Sequence, residues 1–74
     1  MRFLLSALFL FPLPLLAQMK FILQYQDQVG KWHRYQEKHN EGDAYRTATT
    51  RAAATGKRFR IVDGDGRLID LVEP

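Results

Sequence analysis

Cysteine is absent from the 74 residues, and serine occurs once, at Ser6. Without cysteine there is no disulfide framework and no thiolate metal site. After Ala17 the aliphatic hydroxyls are Thr47, Thr49, Thr50 and Thr55, all in or beside one helical stretch with no base set next to them, so the chain reads as non-enzymatic. Histidine is scarce too: His33 and His39 lack the i, i+4 helical spacing of a metal pair and read as surface side chains. Asp63-Gly64-Asp65-Gly66 opens like a calcium loop, but Arg67 falls on a ligand position, Leu68 on the glycine position and Pro74 on the closing glutamate position. That segment is therefore a turn, and neither a metal nor a cofactor is expected.

Charge is missing from one long stretch. Met1 to Ala17 is an apolar block whose sole charge is Arg2. The first reading is a signal peptide over residues 1–17, with a basic start, an apolar middle and cleavage at Ala17-Gln18. Leu15 stands where such a site prefers a small residue, and a second reading makes Met19 the true start. As an uncleaved anchor the block is short of the ~20 apolar residues that span a bilayer, and it carries Pro12 and Pro14. The chain is expected to be secreted or periplasmic on the first reading, cytoplasmic on the second, and membrane-bound only on the third.

Residues 18–74 form one small domain whose charge is +2 once Arg2 is set aside from the +3 of the whole chain. That balance permits a nucleic acid or an acidic surface as partner without demanding either. An exported domain of this size would lack the usual disulfides, which argues for the cytosol or for an oligomer.

Lys20 to Gln26 alternates, with Phe21, Leu23 and Tyr25 on one side, which predicts a half-buried strand. Trp32 to Gln36 is its hairpin partner, and Lys57–Val62 and Arg67–Val72 form a second hairpin. Both turns share the pattern D-x-x-G-[KR], at Asp27–Lys31 and Asp63–Arg67. Three-residue loops closed by a left-handed glycine would pair Tyr25 with His33 and Leu23 with Tyr35, placing Trp32 beside Gln26 on the opposite face, whereas a four-residue first loop would bring Trp32 inward. In the second hairpin they would pair Ile61 with Ile69, Phe59 with Leu71, and Arg60 with Asp70. Between the hairpins a helix starts at the Asn40 cap, runs to about Thr55 and stops at Gly56. Its buried stripe is Ala44, Tyr45, Ala48 and Ala52, while Arg46, Thr50 and Arg51 point to solvent.

The expected architecture is α+β: a small ββαββ domain, with a four-stranded antiparallel sheet of two hairpins and one helix packed on one face. The other face is left uncovered. In this register it carries Ile22, Gln24, Gln26, Trp32, Arg34, Arg58, Arg60, Val62, Leu68, Asp70 and Val72. Exposed apolar patches mark contacts, so Trp32, Arg34, Arg58, Arg60, Val62 and Leu68 are the candidate binding residues. The leading expectation is a non-enzymatic interaction module that self-associates, as a homodimer, or docks a protein partner through this face. The alternative is a cytosolic nucleic-acid-associated module, with Arg34, Arg58 and Arg60 for phosphates and Trp32 for base stacking. Pairing of Arg60 with Asp70 across the strands would neutralise that charge and disfavours the nucleic-acid reading.

Overall fold

The computed structural model describes residues 19–74; the Met1–Ala17 block, with its signal-peptide, start-site and anchor readings, lies outside the described residues. Strands β1 (Phe21–Gln26) and β2 (Trp32–Lys38) form the first hairpin, helix α1 spans Glu41–Thr55, and β3 (Phe59–Asp63) and β4 (Leu68–Val72) form the second. The sheet order is β2-β1-β3-β4, with every neighbouring pair antiparallel. This is the expected ββαββ arrangement, with β1 and β3 central and β2 and β4 at the edges.

The two turns are built alike. Asp27 Oδ1 accepts the N–H groups of Val29 (2.9 Å) and Lys31 (2.8 Å), and Asp63 Oδ1 accepts those of Asp65 and Arg67, both at 2.9 Å. Main-chain bonds from Gly30 to Asp27 and from Gly66 to Asp63, each 3.0 Å, close the loops. The glycines sit at φ 91° and 87°, a left-handed conformation that residues with a Cβ rarely adopt. A carboxylate that accepts several N–H groups is stabilised in its charged form. Donation by the His33 ring, first, and then by the Lys31 N–H holds Asp27 below its ordinary pKa; the Arg67 N–H chiefly does so for Asp63.

Helix α1 begins where the Asn40 side chain accepts the Asp43 N–H at 2.8 Å and ends at Gly56, whose N–H reaches the Ala52 carbonyl at 2.9 Å. Ala44, Ala48 and Ala52 are wholly buried against Phe21, Leu23, Phe59, Ile61 and Val72, with Tyr25 and Ile69 packed at the margin. Tyr45, expected on this stripe, is 51% exposed, so the fully buried residues of the helix are all alanines. Arg51, expected in solvent, is half-buried and lies 5.9 Å from the Tyr35 ring centroid.

Both outer strands depart from straight pairing. Gln24 faces Arg34, but Leu23 faces Gln36 rather than Tyr35, so Tyr35 is an extra residue in β2. Val62 faces Leu68, but Ile61 faces Asp70, leaving Ile69 extra in β4. Such a bulge sets two residues opposite one and reverses the facing of everything after it. Hence Phe59 pairs with Val72 rather than Leu71, and Arg60 with Leu71 rather than Asp70. Val72 enters the core at 7% exposure, and Leu71 moves to the uncovered face at 43%. Asp70 leaves that face with Val72; its carboxylate accepts the Leu71 N–H at 2.8 Å within the bulge.

Two predictions follow from this geometry. Val72→Ala should destabilise the fold by about 2 kcal/mol, for two lost buried methyl groups, and Leu71→Ala by under about 1 kcal/mol, measured by urea unfolding at low protein concentration; the reverse order would restore straight pairing in β4. Because Asp27 and Asp63 have folded pKa values below their unfolded ones, their contribution is complete above the ordinary aspartate value of about 3.9 and is lost as pH falls through the lower folded values. The double variant Asp27→Asn, Asp63→Asn keeps the Oδ1 acceptors without the charge. Its unfolding midpoint should fall less steeply than the parent's below about pH 4, and equal slopes would assign acid sensitivity to other groups.

Candidate interaction face

The face away from α1 is ordered in three rows that cross the strands from β2 to β4. At the turn end of the first hairpin the row is Trp32, Gln26, Arg58 and Glu73, set by Gln26–Trp32 pairing, the 2.9 Å bond from the Gln26 N–H to the Arg58 carbonyl and the Arg58–Glu73 ion pair. The middle row is Arg34, Gln24, Arg60 and Leu71. The third is Glu37, Ile22, Val62 and Leu68. All six sequence-derived candidates therefore share one surface, although they differ in what they offer a partner.

Charge is largely cancelled within the face. Arg34 Nη2 donates to Glu37 at 2.7 Å, and Arg58 Nε donates to Glu73 at 3.1 Å. Among the described residues Arg60 has no acidic partner; its Nε donates to Gln24 Oε1 at 2.6 Å and its guanidinium lies 4.3 Å from the Trp32 ring centroid. The side chain thus crosses β1 to rest on an indole two strands away. With three arginines and two glutamates, these rows carry one positive charge in excess. Exposed ion pairs of this kind contribute little stability, but they consume the cations that a polyanion needs. One face of Trp32 is already covered by Arg60, which removes half of the expected stacking platform.

The apolar part is a contiguous corner. Val62 is 6% exposed, Ile22 is half-buried, and Leu68 and Leu71 are 60% and 43% exposed at the β4 edge. Leu71, Gln24, Glu37 and Glu73 were not singled out as site residues from the sequence. Leu71 was hidden by the bulge. A signal for it exists in the spacing of Ile69 and Val72, two apolar residues three apart in a strand whose partner supplies Phe59 and Ile61.

A second polar group sits on the helix side, at the turn end of the first hairpin. His33 Nε2 donates to Asp27 Oδ2 at 2.7 Å, its ring stacks on Tyr25 at 5.2 Å, and Lys57 Nζ lies 4.8 Å from the Tyr25 centroid. Asp27, Lys57 and Arg58 also line a shallow cleft of about 360 Å³ with Gly56 and Pro74. The carboxylate's oxygens are all occupied by turn donors and His33, so this group braces the hairpin. Among the described residues no three His, Asp or Glu side chains converge as a metal site, and no helix is long and apolar enough to cross a membrane. In comparisons with protein-family models, with curated proteins and with solved structures, nothing matches this chain.

Proposed function

We propose that this chain is a small, non-enzymatic interaction module, exported under the direction of residues 1–17, whose uncovered sheet face binds a second copy of itself. One observation carries the reading: the apolar corner Ile22, Val62, Leu68 and Leu71 adjoins a face whose arginines are mostly neutralised by the chain's own glutamates. Such a surface suits an apolar sheet-on-sheet contact better than a phosphate backbone.

Three further arguments favour a second copy. The core is one-sided and thin, with three alanines among its eight buried residues. Domains below roughly 70 residues usually add disulfides, a structural metal or self-association. Cysteine is absent, and a permanent partner supplies the missing burial. Finally, both edge strands are bulged, which makes them poor templates for strand addition and leaves the face as the docking surface.

Sedimentation velocity over a concentration series should show a monomer–dimer equilibrium for the purified protein. Leu68→Lys combined with Leu71→Lys should shift it to monomer while leaving the far-ultraviolet circular dichroism unchanged. A parent protein that stays monomeric up to millimolar concentration would falsify self-association, as would a monomer that retains single-stranded oligonucleotides at physiological salt.

A further inference from the structure

Arg60 is the one cation in these three rows with no acidic partner, and its geometry is already fixed. Gln24 takes its Nε at 2.6 Å and Trp32 supports the guanidinium plane at 4.3 Å, so the terminal Nη groups remain to donate. Rotamer freedom that an arginine normally loses on binding has been spent in folding, which makes it a pre-organised carboxylate receptor. Covering it with an apolar partner would leave a desolvated, unpaired charge, an unfavourable outcome. Whatever docks on this face must therefore bring a carboxylate to it.

The row pattern identifies that carboxylate in a second copy, and this step rests on the self-association proposed above. Two faces can be laid together with the twofold axis running across the strands or along them. An axis across the strands sets Arg60 on Arg60 of the second copy, Val62 on Arg58, and Leu68 on Glu73, so like charges meet and apolar groups face ions. An axis along the strands sets β1 over β3 and β2 over β4, with the rows kept in order. Ile22 then faces Val62, Gln24 faces Arg60, Trp32 faces Glu73, Leu71 faces Arg34 and Leu68 faces Glu37 of the second copy; apolar groups meet ions here too, but no like charges meet, and that decides between the axes. The Arg60 guanidinium lies over Trp32, and so the acid arrives where the cation already is.

Glu73 is also the acid able to serve. Its side chain is 56% exposed and holds Arg58 through Oε1 alone, whereas Glu37, 26% exposed, is bound to Arg34 at 2.7 Å and lies 3.5 Å from His39. We propose that Arg60, clamped between Gln24 and Trp32, receives the Glu73 carboxylate of a second copy, and that the dimer axis runs along the strands. Two such contacts form per dimer, one on either side of the axis at the Trp32 end, and Ile22 meets Val62 at the other end of the strands.

The test is a charge exchange read by sedimentation. Arg60→Glu and Glu73→Arg should each weaken dimerisation by about tenfold or more, as expected for breaking one partner of a desolvated pair. The double variant Arg60→Glu, Glu73→Arg should recover most of the loss. Since substitutions at Arg60 could disturb the sheet, Arg60→Gln provides a second readout: parent dimerisation should weaken with added salt, and that salt dependence should largely vanish in the variant. A dimer in which the double variant is no better than the single ones, or in which Arg60→Gln keeps the parent affinity and salt dependence, overturns the Arg60–Glu73 contact and leaves self-association standing. A monomeric parent overturns both, and Arg60-dependent binding of single-stranded oligonucleotides by that monomer would assign the clamp to phosphate.

Discussion

Asp27 and Asp63 each bend the chain with a single carboxylate oxygen that accepts two main-chain N–H groups. Because the same device closes both hairpins, it fixes where each outer strand begins and which side of the sheet its first residues occupy. Trp32 is placed outward and His33 inward in one hairpin, Leu68 outward in the other. From these starting points the central pair, β1 with β3, brings Leu23 opposite Ile61 and gives α1 an apolar surface to cover. The helix has no independent claim to its position. Its polar sequence, buried only through alanines, docks because that surface exists.

Much of this was readable from local chemistry. D-x-x-G-[KR] names a loop length, Asn40 and Gly56 name a helix, and alternation from Phe21 to Tyr25 names a face. Each of these signals lies within a few residues of its effect. The bulges at Tyr35 and Ile69 do not announce themselves in this way. L-I-D-L-V fits straight pairing with Ile69 and Leu71 inward as readily as bulged pairing with Ile69 and Val72 inward, and the choice is made by how β4 meets the helix and Phe59. Local pattern could not distinguish leucine from valine as the core residue when the two are adjacent.

That one-residue shift reaches the interaction face. Had Arg60 faced Asp70, its charge would have been satisfied inside the sheet and the surface would have been inert at its centre. Leu71 takes that place, and an isoleucine–valine–leucine corner becomes continuous while Arg60 turns across β1 to Gln24 and Trp32. All six candidate residues lie together as the sequence implied. Their chemistry differs because Glu37 and Glu73, unremarked in the linear pattern, quench two of the three arginines.

The alanine face of α1 has a thermodynamic consequence of its own. Ala44, Ala48 and Ala52 have no side-chain torsions to freeze, so docking the helix costs almost no rotamer entropy, but it also removes little apolar surface from water. A monomer held this way unfolds with a small change in heat capacity, and its stability curve is broad and shallow. Such a molecule gains little from being cooled and loses little on mild warming. The steepness that most domains obtain from a large core would have to come from association.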